Sequence, residues 1–175
     1  MEIADIIAIR GKGWFSDGIV RATGGHVSHV ALVLSVSPSD PMESLVIEAL
    51  TRVRTRTLEK SLSKAEQAWV LSPLNVPFKT RFDIIDRASE FSANEYGWLE
   101  LALQLADIAL ETRWFTDHLA VGLLNRWPIC SYCVAKPYWD EGLKFGKLKP
   151  QSVTPLDIFE FAVRNADKYS VLEIK

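Results

Sequence analysis

Two segments far apart in the chain carry residues that could together perform nucleophilic chemistry. His29 lies in the apolar run 27–33, which predicts a buried strand, and Cys130 lies at a predicted helix start. A thiol at a helix N-terminus beside an imidazole is the minimum apparatus for cysteine nucleophilic catalysis. The sequence therefore predicts Cys130 as a nucleophile and His29 as its general base, on the condition that the two segments meet in space.

Of the chain's two cysteines, Cys130 is the better candidate nucleophile. A helix N-terminus favours a thiolate through its free N–H groups and dipole, by about 0.3–1 kcal/mol at a surface. A neighbouring imidazolium lowers the thiol pKa further, and the same N–H groups can stabilise an oxyanion. Cys133 lies one turn inside the predicted helix and lacks these advantages. The alternative interpretation is that both cysteines are small buried hydrophobic residues.

A third polar residue, Glu48, interrupts the apolar run 45–50. An ionised carboxylate in a buried strand is costly unless it is paired, and a catalytic imidazole needs a partner that holds its ring. The strand with Glu48 is the expected sheet neighbour of the strand with His29, so Glu48 is predicted to orient His29. The alternative is an outward-facing residue in a strand whose alternation is poorly defined.

The same segments also offer a metal-site alternative. His26 and His29, with Cys130 and Cys133, supply four side chains of the types that bind zinc. Residues three apart on a strand face opposite sides, however, and the cysteine pair lies on a predicted helix without the glycine-bearing turn of a zinc knuckle. We therefore expect neither a metal ion nor a cofactor.

The elements that must position these residues follow a simple order of strands, then helices, then a last strand. Strands are predicted at 5–10, 27–36, 44–50, 52–57, 68–74 and 170–174. Helices are predicted at 16–22 (with Ser16 or Asp17 as cap), 79–94, 98–124, 131–141 and from Thr154. Short turns join neighbouring strands, which predicts an α+β domain with a mostly antiparallel sheet packed against helices, spanning 1–175 as one domain.

Three patterns receive a structural interpretation rather than a functional one. Arg52, Arg54 and Arg56 alternate along one predicted strand, which favours a solvated face over an anion site. Apolar residues recur at helical spacing in the helix 79–94 and predict its buried face: Phe82, Ile85 and Ala88. Five tryptophans could line a groove, but core positions are the preferred interpretation: Trp14, Trp98, Trp114, Trp127 and Trp139.

Bulk composition excludes several classes of protein. Apolar residues make up 48% of 175 residues and the net charge is −2, which indicates a packed globule and gives no electrostatic case for a nucleic-acid partner. The apolar stretch 98–110 contains charged residues and is too short for an integral membrane span.

No Sec-type signal peptide is recognisable, so a cytoplasmic location is expected. Export without a cleaved signal, or delivery in a phage context, is left open. The oligomeric state is not indicated.

Four stretches in order resemble the circularly permuted, NlpC-type papain-like cysteine hydrolases of the YiiX-like group. Residues 5–7 resemble the family's opening Gly-Asp-aliphatic strand, with Ala4 in place of the glycine. Residues 22–30 resemble its Thr-Gly…Ser-His-Val segment, residues 46–49 its Ile-Glu-Ala strand, and residues 130–134 its Cys-Ser-Glu-Leu-Val helix start, in which Tyr132 and Cys133 replace Glu-Leu.

The resemblance implies a permuted papain-like domain with its catalytic cysteine at a helix N-terminus. It implies Cys130 as nucleophile, His29 as base and Glu48 as the third polar residue. It also points to substrate-binding residues beside them: Ser28, Ser131 and Tyr96.

Three functions follow as hypotheses. The first is a hydrolase that cleaves an amide or ester of a small peptide or acyl substrate, with cell-wall peptides among the candidates, through an acyl-enzyme. The second is an acyltransferase or lipid thioesterase, similar to lecithin:retinol acyltransferase relatives. The third is a non-catalytic module that binds a ligand in the same groove, or a zinc-holding protein.

Overall fold

The computed structural model describes residues 1–92 and 129–175, with isolated positions between 102 and 114. The strands are β1 (Ile6–Gly11), β2 (His29–Ser35), β3 (Leu45–Ala49), β4 (Val53–Thr57), β5 (Ala65–Pro73) and β6 (Tyr169–Glu173). The helices are α1 (Trp14–Thr23), α2 (Leu58–Leu62), α3 (Phe78–Ser89), α4 (Cys130–Asp140) and α5 (Pro155–Arg164), with 3-10 turns at Pro41–Glu43 and Pro150–Ser152.

The six strands form one sheet in the order β4-β3-β2-β1-β5-β6, and every neighbouring pair is antiparallel. The α+β class and the antiparallel sheet are therefore confirmed. β2 is an interior strand that is buried on both faces, with Val30 and Leu32 in one core and Ala31 and Val33 in the other. Burial on both faces explains why the sequence of β2 is almost continuously apolar.

The β2 and β3 strands stop pairing with each other near the start of α4, next to the larger core. The larger core contains one face of β2 together with buried residues of α4, and the smaller contains Leu58 and Leu62 of α2. The ladder between β2 and β3 runs only from Leu32–Ile47 to Ser35–Leu45. The beginning of β2 and the end of β3 are thus left without mutual pairing at the place where α4 begins.

Helix boundaries follow the predicted signals in part. Gly24 adopts a left-handed conformation (φ 69°) and ends α1, and α5 begins after Thr154 as predicted, with a reciprocal capping box between Thr154 and Asp157. Neither proposed cap of α1 is correct, because that helix begins at Trp14. Ser16 instead donates a hydrogen bond to the Gly11 carbonyl, and Asp17 pairs with Arg10.

Several apolar residues predicted to be buried are exposed. Phe82 of α3 is 53% exposed, and the buried residues of that helix are Arg81, Ile84 and Ala88. Trp14 is 85% exposed and Trp114 is 53% exposed, so the core interpretation is wrong for both. Most of the predicted helix 98–124, including Trp98, lies outside the described residues, and so does Trp127.

Arg81 lies on the buried face of α3. Its guanidinium binds the N-terminal segment of the chain. Arg81 lies 3.0 Å from Asp5 and donates to the carbonyls of Ile3 and Pro73. Ser72 donates to the other Asp5 oxygen at 2.6 Å, and the Asp5 side chain is fully buried. A buried charge pair whose remaining polar atoms are hydrogen-bonded is costly to break from one side.

Replacing Arg81 with methionine should lower the free energy of unfolding by about 3–5 kcal/mol, because Asp5 would stay buried without its cation. Urea denaturation measures the change. Arg87→Met is the matched control, since Arg87 lies on the same helix with its side chain 46% exposed in a surface pair with Glu141. Equal losses in the two variants would contradict the anchoring role of Arg81.

Candidate active site

Cys130 is the first residue of α4, and it follows Ile129, whose backbone is extended (φ −92°, ψ 167°). The helix has no side-chain cap, so no capping side chain takes the N–H groups of the first turn, which ordinarily lack partners within a helix. The helix ladder starts with the Cys133 N–H donating to the Ile129 carbonyl at 3.0 Å. Cys130 as a whole residue is 5% exposed and belongs to the larger core.

His29, at the beginning of β2, links the cysteine to a carboxylate. Its Nε2 lies 2.9 Å from Oε2 of Glu48. The Cys130 thiol is the other group that acts on His29, through its charge and through side-chain hydrogen bonding. Because Nε2 is occupied by Glu48, Nδ1 is the ring nitrogen left for the sulfur. The structure thus brings together the three residues that the sequence selected as a catalytic group.

Glu48 has two further partners that sequence reasoning missed. Ser61 of α2 donates a hydrogen bond to Oε2 at 2.9 Å, and Nε of Arg56 lies 2.8 Å from Oε1. Oε1 has no aligned hydrogen bond among the described residues, so the Arg56 contact is an ion pair rather than a directional bond. Glu48 is 1% exposed, and the alternative of an outward-facing residue is wrong.

The arginine stripe of β4 is therefore divided. Arg54 is exposed, as a solvated face requires, but the Arg56 side chain is only 20% exposed and neutralises Glu48. Arg54 is the cross-strand partner of Glu48, and Arg56 follows it by two residues, so all three side chains lie on one face of the sheet. The alternating arginines were the sequence feature that could have identified Arg56 as a partner of Glu48, but their alternation favours a solvated face instead. No sequence pattern pointed to Ser61.

The cysteine and the histidine shift each other's protonation in opposite directions. Burial raises the pKa of the Cys130 thiol, but the charge of His29, its hydrogen bond and the backbone amides of Val30 and Ser131 bring that pKa below its ordinary value. Burial likewise lowers the pKa of His29, but the Cys130 thiolate and Glu48 raise it to about 10. Both directions favour a thiolate–imidazolium pair near neutral pH.

The neighbouring groups show that this effect is local. Burial raises the pKa of the Glu48 carboxyl, but His29, Ser61 and Arg56 bring it below its ordinary value. Burial and the nearby Cys130 raise the pKa of the Cys133 thiol well above its ordinary value. Two cysteines on one helix therefore have opposite tendencies to ionise, and among the residues that the structure describes only Cys130 has a cationic partner, His29, to account for it.

The predicted substrate-binding residues lie in different surroundings. Ser28 is buried beside His29, where its hydroxyl accepts a hydrogen bond from the Gly11 amide (3.1 Å) and lies 2.6 Å from the Ser16 hydroxyl oxygen. Ser131 is fully buried, and its hydroxyl has no partner among the described residues. Tyr96 lies outside the described residues.

The metal-site alternative does not assemble from these residues. The His26 ring packs edge-on against Trp69 and Phe159, at 5.5 and 4.9 Å between ring centroids. Cys133 is buried one turn into α4. Within ranges 1–92 and 129–175 and the isolated positions between them, no three His, Cys, Asp or Glu side chains are grouped so as to hold a metal ion.

A cleft of about 380 Å³ opens beside the three residues, with Cys130, His29 and Glu48 among its lining. Phe15 and Ile19 of α1 contribute an apolar wall. Polar and charged side chains from β4, α2 and the end of β1 line the rest. A pocket of this size admits a small ligand or the end of a larger one.

This combination of one antiparallel sheet and packed helices is consistent with a YiiX-like α+β fold. The chain resembles the crystal structure of the metalloprotein YiiX from Escherichia coli O157:H7, DUF1105, with a TM-score of 0.69 over 98% of this chain and 96% of that chain. The two sequences are 15% identical, so the likeness concerns the fold. No family profile matches the chain, and no curated protein matches it.

A helix that crosses a membrane must be both long and apolar. Among the helices that the structure describes, none has both properties.

Proposed function

We propose that this protein is a permuted NlpC-type, papain-like cysteine hydrolase that cleaves an amide or ester bond through an acyl-enzyme. The observation that carries the proposal is the continuous series of contacts from Cys130 through His29 and Glu48 to Arg56. Its charges alternate in sign, from thiolate to imidazolium to carboxylate to guanidinium. Such an arrangement keeps the thiolate charged in a buried place.

In the first half of the proposed reaction, the Cys130 thiolate attacks the substrate carbonyl carbon and a carbon–sulfur bond forms. The carbonyl oxygen takes the negative charge, and the backbone N–H of Cys130, at the uncapped start of α4, is the proposed donor to it. The tetrahedral intermediate then collapses. His29 gives its proton to the leaving amine or alcohol, which departs and leaves a thioester on Cys130.

In the second half, neutral His29 takes a proton from a water molecule that attacks the thioester carbonyl. The carbon–sulfur bond breaks, the carboxylic acid is released, and the thiolate–imidazolium pair is restored. Glu48 does not touch substrate in this scheme. It is a positioning residue that holds Nε2 of His29 and stabilises the imidazolium.

Transfer of the acyl group to an acceptor other than water is the second candidate function. The apolar wall of the cleft, formed by Phe15 and Ile19, is suited to an acyl chain. Trp14, which precedes them on α1, is 85% exposed beside this wall. Hydrolysis and transfer share the same acyl-enzyme, and mass spectrometry of the products formed with and without an added alcohol or amine acceptor separates them.

The proposal predicts that Cys130 reacts with iodoacetamide at least about tenfold faster than an unactivated thiol at pH 6, because only a thiolate attacks this reagent. Peptide mapping by mass spectrometry measures the modified fraction at each cysteine. Cys133 is the internal control, since its raised pKa predicts slow reaction. A Cys130 rate no faster than that of a free thiol would overturn the proposed nucleophile.

A further inference from the structure

The cleft has a concentration of positive charge that the composition of the chain does not explain. Five cationic side chains line it: Lys12, Arg54, Arg56, Lys60 and Lys64. Its lining contains one acidic residue, Glu48, which is 1% exposed and already neutralised. The whole chain has a net charge of −2, so the positive charge of this lining is a local excess.

Four of these cations have no acidic partner in the part of the chain that the structure describes. Arg56 pairs with Glu48, but no ion pair within 4 Å involves Lys12, Arg54, Lys60 or Lys64 there. All four are exposed. Like charges gathered without counter-charges repel each other, and they favour the binding of an anion.

The backbone fixes these cations on the rim of the active site. The Lys12 amide donates to the Lys64 carbonyl at 2.9 Å, which joins the end of β1 to the turn before β5. Arg54 lies directly opposite Glu48 in the β3–β4 ladder. Lys60 precedes Ser61, whose hydroxyl holds Glu48. The charges therefore come from four separate parts of the chain: the residue after β1, β4, α2 and the turn before β5.

We propose that the substrate carries an anionic group, a carboxylate or a phosphate, close to the bond that is cleaved, and that Lys12, Arg54, Lys60 and Lys64 bind it. Phe15 and Ile19, which also line the cleft, accept the apolar part of the acyl group. This inference rests on the proposed function, since it concerns the substrate of the same site. It narrows that substrate from any acyl compound to an acidic one.

The test compares two alkylating reagents of almost equal size, neutral iodoacetamide and anionic iodoacetate. Both attack the same thiolate, so the ratio of their rates at Cys130 cancels the thiolate fraction and reports the local potential. In the Lys12→Gln/Lys64→Gln variant, the iodoacetate-to-iodoacetamide ratio should fall by about tenfold. Lys147→Gln/Lys168→Gln removes the same net charge at exposed residues outside the cleft lining and should leave the ratio unchanged.

Protection experiments distinguish the two anion chemistries. Inorganic phosphate and succinate, each compared with sodium chloride at equal ionic strength, should slow iodoacetamide at Cys130 in the parent protein and much less in the cleft variant. Stronger protection by phosphate assigns a phosphate-bearing substrate, and stronger protection by succinate a carboxylate-bearing one. An unchanged reagent ratio in the cleft variant, or an equal change in both variants, overturns the anionic-substrate inference.

The two proposals fail in different ways. Slow iodoacetamide alkylation of Cys130 in the parent protein counts against the hydrolase itself. Fast alkylation with a reagent ratio that is insensitive to Lys12 and Lys64 leaves the hydrolase standing and removes the anion site.

Discussion

Replacing Cys130 with alanine is expected to lower the turnover of any acyl substrate by at least about 10³-fold, with no large loss of stability. The sulfur forms the only covalent bond to substrate in the proposed reaction, and alanine has no group that can replace it. The change removes one buried atom next to a helix N-terminus, so α4 should still fold. Activity against a panel of activated esters and thioesters, with thermal unfolding as the check on folding, measures both effects.

Cys133→Ala is the matched control for this experiment. Cys133 is also buried on α4, but burial and the neighbouring Cys130 keep its thiol protonated. The variant should retain turnover and still form a covalent thioester that mass spectrometry detects on Cys130. Retained turnover in Cys130→Ala, or its loss in Cys133→Ala alone, would show that the nucleophile has been misassigned.

The second large effect is expected from Glu48→Gln, which keeps the shape of the side chain and removes its charge. The substitution leaves His29 and Arg56 without their buried counter-charge, and breaking a buried pair from one side costs about 3–5 kcal/mol. Turnover should fall by about 10²–10⁴-fold, because His29 loses the partner that fixes its ring and stabilises its cationic form.

The pH profile separates this positioning role from a general loss of structure. Against the effect of burial, the Cys130 thiolate and then Glu48 raise the pKa of His29 to about 10, so the alkaline limb of the rate should lie near that pH. Without Glu48 the pKa of His29 falls, and the alkaline limb should move to lower pH. A Glu48→Gln protein that stays folded, loses activity and keeps the parent alkaline limb would contradict the role given to Glu48.

The same carboxylate also predicts how stability responds to acid. The folded-state pKa of Glu48 lies below its unfolded value, so its contribution to stability is present above the unfolded pKa and is lost as pH falls through the folded pKa. Glu48→Gln should therefore lack this component of acid destabilisation. Glu59→Gln, at an exposed residue of α2, is the control and should follow the parent protein.

Much of the fold could be predicted from local patterns because the physical signal is local. The apolar run of β2 indicates a strand that is buried on both faces. Gly24 ends α1 in a left-handed conformation, and Thr154 with Asp157 caps the start of α5, and both of these helix boundaries depend only on neighbouring residues. The pattern fails in α3, where Phe82 is exposed and Arg81 is buried. Helical spacing identifies an apolar face, but it does not record that Arg81 pairs with a distant buried carboxylate, Asp5.

For the candidate site, the sequence alone determined the residue types and their local settings: a cysteine at a helix start, a histidine at a strand start and a carboxylate in an apolar strand. Tertiary structure alone decided that β2 and β3 part where α4 begins, that Arg56 turns towards Glu48, and that cations from separate parts of the chain share one cleft. The reason is that burial, pKa and electrostatic potential depend on groups close in space. Local sequence records neither those neighbours nor the side from which they approach.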